Sequence, residues 1–114
     1  MSKKNDLENL IFIVEKIDDL NSYVKRYEKV SLLLEDKFGA DASLMCLLQI
    51  GETLNKIQNK YDLLLKEDIK GSYDVRNFIA HDYMGVDLGF IEAIIKERIP
   101  ILHNNIKTII GSLK

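Results

Sequence analysis

The chain contains few of the residue types that small proteins use as covalent or rigid supports. It has one cysteine, one proline and no tryptophan among 114 residues. One cysteine cannot form an internal disulfide, and a domain of this length buries enough surface to fold without a cross-link or a structural metal. Cys46 lies in an apolar run, which favours a buried thiol in a reducing, cytoplasmic setting.

Long hydrophobic runs and a net basic charge are also missing. No stretch of about 18 apolar residues is present, and the amphipathic start does not resemble a signal peptide. We therefore expect a cytoplasmic protein that is neither exported nor membrane-spanning. The formal charge of −2 gives no global basic field of the kind that nucleic-acid binders often carry. Any RNA contact must be local, for example at Lys25, Arg26 and Lys29. Scattered basic residues of this kind more often lie on solvated helix faces without binding RNA.

The abundant residues indicate helices. Leu, Ile, Lys and Glu dominate, so we predict an all-α fold, one domain over residues 1–114, built as an up-and-down bundle of four to five helices. The first helix is predicted to begin at an N-cap, Asn5 or Asp6. Its core stripe is predicted to be Leu7, Leu10, Ile11, Val14, Ile17, Leu20 and Val24. A short second helix at 30–34 and a change of direction at 36–41 should follow.

Three further helices are predicted from apolar spacing. The third covers about 40–61 and contains Gly51, whose presence inside a helix suggests close approach of another backbone. The fourth covers about 72–82. The fifth begins near Asp87 and continues to the C-terminus, with a kink at Pro100. Its core stripe is predicted to be Leu88, Ile91, Ile94, Ile95, Ile101 or Leu102, Ile106, Ile109 and Leu113.

One segment gathers polar side chains of catalytic type within about two helical turns: Arg76-Asn77-Phe78-Ile79-Ala80-His81-Asp82-Tyr83. Arg76 and Tyr83 lie on one helical face, and Asn77 and His81 share an adjacent face. A guanidinium beside an imidazole can bind and activate a phosphodiester. Asn77 can orient the imidazole, and Tyr83 adds a hydroxyl and an aromatic face.

A purely structural interpretation of this segment stays open. Arg76 can pair with Asp74 or Asp82, His81 can cap the end of the helix, and Tyr83 can close the next turn or anchor packing.

Asp82 within the segment and two residues outside it are candidates to line the same groove or to orient its side chains. Glu52 either pairs with Arg76 or is solvated on the third helix. Tyr73 either lines the groove or borders the core. Carboxylates are dispersed and His103 stands alone, so we expect no metal site and no cofactor.

Arg76, Asn77, His81 and Tyr83 together reproduce an Arg-x4-His-x-Tyr pattern that resembles the signature of the HEPN superfamily. Gln49-Ile50-Gly51-Glu52 before it and Val86-Asp87 after it are similar to the HepT-type branch. These motifs occur in the order expected of the family, and the resemblance extends from about Leu7 to Ile110.

The resemblance implies a helical bundle that dimerises through the signature helix and cleaves RNA without a metal. The ribose 2′-oxygen would attack the adjacent phosphorus, and the 5′-oxygen would leave. His81 would then be the general acid or base, Arg76 would neutralise the developing charge, and Asn77 would orient one of them.

The resemblance also implies a regulatory partner. HepT-type proteins are toxins of type VII toxin–antitoxin systems, and their antitoxin is a minimal nucleotidyltransferase that transfers AMP to the signature tyrosine, here Tyr83. The expected partners are RNA, this antitoxin and a second copy of the chain, in a homodimer or a higher hetero-oligomer.

Two alternatives come from other classes of protein. The net negative charge favours a non-catalytic helical subunit that binds a nucleotidyltransferase. The other alternative is a structural dimerisation domain, in which the polar cluster forms hydrogen bonds with buried groups at the interface.

Overall fold

The computed structural model describes residues 3–64, 74–77, 79, 85 and 87–114, with side chains from Asn5 onward. Its helices are α1 (Lys3–Tyr27), α2 (Val30–Glu35), α3 (Lys37–Leu54), α4 (Leu88–Ala93) and α5 (Ile99–Leu113). A π-helical turn, Ile94–Arg98, joins α4 to α5, and residues 74–77 are also helical. The described residues contain no strand, and the all-α prediction is confirmed.

α1 begins earlier than the sequence suggested. It begins at Lys3, so the prediction that Asn5 or Asp6 is its N-cap is wrong. Asp6 lies in the first turn and is fully buried. The predicted stripe is correct at its centre but omits Ile13, and Ile11 is 38 % exposed. The fully buried apolar residues of α1 are Leu10, Ile13, Ile17 and Leu20.

Two adjacent turns connect α1, α2 and α3. Glu28 ends α1 in the left-handed region with φ of 73°. The second helix lies where it was predicted. Asp36 then caps α3 by accepting from Gly39 N at 3.1 Å, and it also accepts from the Tyr27 hydroxyl at 2.6 Å. The predicted change of direction at 36–41 is therefore confined to Asp36, because Lys37 is already helical.

α3 ends at Leu54, and its predicted extension to residue 61 is wrong. The backbone N–H groups of Gln58 and Asn59 donate to the Asp6 carboxylate instead of to helical carbonyls, so the helix cannot continue. Gly51 is buried, and the close approach suggested for it stays a prediction. Gly39 shows such an approach, since a Cβ there would overlap the carbonyl oxygen of Leu33.

The C-terminal part of the chain is helical, as predicted. Asp87 caps α4 through Gly89 N, at 2.9 Å, and Phe90 N. Regular α-helical bonding is interrupted just before Pro100, where the Ile99 N–H bonds to the Ile94 carbonyl. The widened turn lies where the proline ring would otherwise crowd a carbonyl. The predicted kink angle stays a prediction. The buried residues here are Ile91, Ile95, Ile99, Leu102, Ile106 and Ile109, so Leu102 and not Ile101 joins the stripe.

These elements share one hydrophobic core. α1 packs most extensively against α3 and next against α5. The radius of gyration, 13.9 Å, is close to that of a compact chain of this length. Cys46 belongs to this core and is 4 % exposed, as the sequence predicted. No helix among the described residues has the length and apolar character needed to cross a bilayer.

Candidate functional site: a guanidinium held between two helices

The Arg76 segment is attached to the core by apolar neighbours. Ile79 is 1 % exposed and belongs to the core cluster, and Val75 packs against that cluster. Residues 75 and 79 are four apart and share one helical face. Arg76 and Asn77 lie off that face, and both remain partly accessible. Burial of the apolar pair thus fixes the position of the polar pair.

Two side chains hold the Arg76 guanidinium. Its Nε donates to Glu52 Oε1 at 3.3 Å, and its Nη1 donates to Asn77 Oδ1 at 2.6 Å. Glu52 belongs to the last turns of α3, 24 residues earlier in the chain. Of the two interpretations of Glu52, pairing with Arg76 is confirmed. Pairing of Arg76 with Asp74 or Asp82 stays a prediction.

This arrangement orients the guanidinium more than it stabilises the fold. The Arg76 and Glu52 side chains are 30 % and 43 % exposed, and ion pairs of such exposure contribute about 0–1 kcal/mol to stability. Two acceptors on different edges of a planar group do restrict its rotation. The site therefore presents a cation of defined orientation at the surface.

Four sequence-predicted site residues lie outside the described residues. They are Tyr73, His81, Asp82 and Tyr83. Their roles stay predictions, as does the groove shared by His81 and Arg76.

The second histidine has a partner that the sequence did not reveal. His103 Nε2 on α5 lies 2.9 Å from Asp18 Oδ1 on α1, so the description of His103 as isolated is wrong. The two residues are 85 positions apart, and no local spacing could have linked them. Within the described part of the chain, no three His, Cys, Asp or Glu side chains are grouped as a metal site would require.

A buried polar cluster around Asp6 was also missed. Its carboxylate accepts from Gln58 N, Asn59 N and Nδ2, and the Tyr61 hydroxyl, at 2.8–2.9 Å. Burial alone raises the pKa of the Asp6 carboxyl, but these hydrogen bonds outweigh it and lower the pKa below the usual 3.8. The cluster fixes the loop after α3, and thus the path of the chain leaving Glu52.

Fold and site define an all-helical bundle that carries a surface arginine held by a carboxylate and an amide. The family profile described as ribonuclease HepT-like matches residues 13–109. The chain therefore belongs to the HepT-like ribonuclease family. No solved structure shows a significant match to this chain.

Proposed function

We propose that this protein is a homodimeric RNA endonuclease, the toxin of a type VII toxin–antitoxin pair in the cytoplasm. The observation that carries the proposal is the part-exposed Arg76 guanidinium, held by Glu52 and Asn77. Arg76 and Asn77 begin the Arg-x4-His-x-Tyr pattern, and the family match over residues 13–109 supports an RNase activity.

In the proposed reaction the ribose 2′-oxygen attacks the neighbouring phosphorus, and the bond from phosphorus to the 5′-oxygen breaks. The products are a 2′,3′-cyclic phosphate and a free 5′-hydroxyl, and no metal ion takes part. His81 either takes the proton of the 2′-hydroxyl or donates one to the leaving 5′-oxygen, and water completes the other proton transfer. Arg76 neutralises the charge that builds on the phosphorane. Asn77 and Glu52 keep the guanidinium oriented, so less conformational entropy is lost when the transition state forms.

The Glu52 carboxylate repels anions at the site, whereas the Arg76 guanidinium favours the transition state over the bound substrate. A phosphodiester with one negative charge must approach Arg76 against the repulsion of this carboxylate. The phosphorane carries more negative charge and therefore attracts the guanidinium more strongly than the substrate does. Since only interactions that strengthen in the transition state accelerate the reaction, the rate gain comes from the Arg76 guanidinium, and Glu52 contributes by orienting it.

Control of the toxin is proposed to occur at Tyr83. The cognate nucleotidyltransferase would direct the Tyr83 hydroxyl oxygen to the α-phosphorus of ATP, with release of pyrophosphate and a proton. The attached AMP is bulky and anionic, so near Arg76 it would exclude RNA by occupancy and by charge. An intact-mass gain of one or more AMP units, mapped to Tyr83 after incubation with antitoxin and ATP, tests this step.

The nuclease proposal is tested with purified protein and single-stranded RNA in EDTA. Wild-type protein should release fragments that end in a 2′,3′-cyclic phosphate. Arg76→Ala and His81→Ala should each reduce the cleavage rate by about 100-fold or more, because each removes a transition-state interaction.

The chain offers a matched control for each variant. Arg98→Ala removes an exposed arginine at the end of the π-helical turn, and His103→Ala removes the other histidine. Both controls should cleave at the wild-type rate, and all four variants should melt as folded proteins. Full cleavage by the Arg76 and His81 variants would refute the nuclease assignment.

A second candidate is a non-catalytic subunit that binds a nucleotidyltransferase. The Glu52 carboxylate beside Arg76 favours it, because it reduces the attraction of the site for a polyanion. Stable binding to the enzyme by wild-type protein that cuts no RNA, with or without metal, would support this candidate over the first.

A further inference from the structure

An open groove of about 450 Å³ lies between α1 and α5, and Arg76 is not part of it. Its volume is within the range of small-molecule sites, about 300–1,000 Å³. α1 and α5 pack against each other through buried aliphatic side chains, so both walls of the groove are rigid. The described residues that line it are Asn21, Pro100, Ile101, His103, Asn104 and Asn105.

A carboxylate of fixed orientation lies beside this groove. Asp18 precedes Asn21 by three positions on α1, so the two side chains share one helical face. His103 Nε2 lies 2.9 Å from Asp18 Oδ1, and the His103 and Asp18 side chains are 20 % and 61 % exposed. A mostly enclosed imidazole thus holds a carboxylate that is open to solvent. Because each carboxylate oxygen can accept more than one hydrogen bond, both oxygens of Asp18 can still accept from a ligand.

The amides of the groove supply both donors and acceptors. Within the part of the chain that the structure describes, no residue bonds to the side chains of Asn21, Asn104 or Asn105. Ile101, which is 60 % exposed, and Pro100 add apolar surface beside them. None of the described lining residues is lysine or arginine, so the groove fits a neutral hydrogen-bonding ring better than a phosphate.

We propose that the groove between α1 and α5 binds a guanine base, with the Asp18 carboxylate on the Watson–Crick edge of the base. Guanine presents two adjacent donors on this edge, N1–H and the N2 amine, and they match the two oxygens of one carboxylate. The side-chain amide of Asn21 or Asn104 would donate to O6. Ile101 and Pro100 would cover one face of the ring.

The other three bases of RNA fit the carboxylate less well. Adenine and cytosine each place an unprotonated ring nitrogen on the Watson–Crick edge, and its lone pair would repel Asp18. Uracil has a single donor there, and a carbonyl oxygen lies on either side of it. The groove should therefore select guanine by repulsion of the other bases as well as by attraction.

The guanine can belong to RNA or to a free nucleotide. The RNA source rests on the proposed function. Asp6 bonds to the loop after α3, and Asp18 lies 12 positions further along α1, about 18 Å away. A single strand of several nucleotides would then extend from the groove toward Arg76, and the guanine would increase affinity for RNA without entering the reaction.

Calorimetric titration of the full chain with nucleoside monophosphates tests the groove. Phosphate buffer occupies any anion site equally in every titration. GMP should bind about 10-fold more tightly, or more, than AMP, CMP or UMP, because these differ only in the base. IMP, which lacks the N2 amine of GMP, should bind more weakly than GMP. Equal binding of all five nucleotides would overturn the proposal.

Asp18→Asn is the decisive variant. Its carbonyl oxygen can still accept from His103, but its amide group places donors against the donors of guanine, so the preference for GMP should be lost. Glu8→Gln is the matched control, because it removes an exposed carboxylate of α1 outside the groove. It should bind GMP as wild type does. Both positions are exposed, so melting should show folded protein, and an Asp18→Asn protein that keeps the wild-type preference would overturn the site.

Cleavage of single-stranded RNA distinguishes the two sources of guanine. If the base belongs to RNA, an oligonucleotide with one guanine should have a lower KM than the same oligonucleotide with inosine at that position, at equal kcat. Asp18→Asn should remove the difference. His103→Ala loosens Asp18 and should also raise KM, while its cleavage rate with saturating RNA remains that of wild type. Equal KM values, together with GMP binding that depends on Asp18, assign the groove to a free nucleotide.

The outcomes separate this inference from the nuclease proposal. GMP binding that depends on Asp18, in a protein that cleaves no RNA, supports the groove and refutes the nuclease. RNA cleavage by a protein that shows no preference for guanine overturns the groove and leaves the nuclease.

Discussion

The buried carboxylate of Asp6 ties the first turn of α1 to the loop after α3. Two backbone N–H groups, one amide and one hydroxyl depend on it, and Asp6 is 0 % exposed. Without the carboxylate these part-buried donors lose the acceptor that they share. From the sequence, Asp6 was expected to cap the start of a helix. In the structure it is a buried hydrogen-bond acceptor, and its partners lie 52–55 positions away in the chain.

We expect Asp6→Ala to lower the free energy of unfolding by about 2 kcal/mol, since it removes the shared acceptor of four part-buried hydrogen bonds. Tyr61→Phe removes one donor and should cost about 1 kcal/mol. Urea denaturation measures both changes. Asp62→Ala, at an exposed carboxylate in the same loop, should change stability by less than about 0.5 kcal/mol. An Asp6 variant as stable as this control would show that the cluster contributes little.

The same residue predicts a pH dependence. Its folded pKa is below 3.8, so the carboxylate form is favoured by folding, and its stabilisation is fully present well above the unfolded pKa. It is lost as the pH falls from about 4 through the folded pKa. Urea midpoints of wild type should therefore decrease over this range. The decrease should be smaller in Asp6→Asn, and an identical acid slope in both proteins would assign the effect to other groups.

At the scale of secondary-structure elements, the periodicity of 3.6 predicted most helices, and capping decided where they end. α2 and the C-terminal helical region lie where the apolar spacing placed them. α3 was predicted to begin about three residues too late and to end about seven residues too late, because its start depends on Asp36 and its end on Asp6. Apolar spacing continued through Ile57 and Tyr61, although both lie in a loop and still pack against the core.

The end of α1 contains a residue in an unfavourable conformation. Glu28 has a φ of 73°, a left-handed conformation that costs a side-chain-bearing residue about 1 kcal/mol. Glu28→Gly should therefore raise the free energy of unfolding by about 0.5–1 kcal/mol. Glu15→Gly, at an exposed position inside α1, should lower it by about 1 kcal/mol. Thermal unfolding of the pair checks the opposite signs, and loss of stability in both would show that Glu28 is not strained.

Two glycines in helices should respond oppositely to alanine. A Cβ at Gly39 would overlap the Leu33 carbonyl and lie 2.8 Å from Leu33 Cδ1, so Gly39→Ala should cost about 2 kcal/mol. Nothing lies within 4 Å of a Cβ at Gly111, so Gly111→Ala should stabilise α5 by about 0.5 kcal/mol. Denaturant midpoints measure both. A neutral Gly39→Ala would mean that α2 can move away from α3.

At the scale of the whole molecule, the site depends on elements that the chain brings together from a distance. Glu52 on α3 meets Arg76, whose segment is attached to the core by Ile79. The chain as a whole carries a formal net charge of −2. RNA binding must therefore rest on a small number of phosphate contacts, in contrast to proteins with a basic groove.

The salt dependence of RNA binding should reflect this small number. The slope of log K against log salt is about −0.7 per phosphate neutralised on a single strand, so one Arg76 per chain gives a shallow slope. Arg76→Gln should flatten it by about 0.7 for each site occupied, and Arg98→Gln, at an exposed arginine, should leave it unchanged. Fluorescence anisotropy with labelled RNA measures both slopes. A steep wild-type slope would indicate a basic surface elsewhere.

The sequence by itself determined the helical class, most of the core stripes of α1 and α5, the burial of Cys46 and the pattern that begins at Arg76, because each depends on residues within a few turns of one another. Only the tertiary structure decided that Asp6 is an anchor, that α3 ends at Leu54, that Glu52 holds Arg76 and that Asp18 meets His103. These contacts join residues 24 to 85 positions apart in the chain. The local periodicity of a sequence does not indicate which distant side chains come into contact when the helices pack.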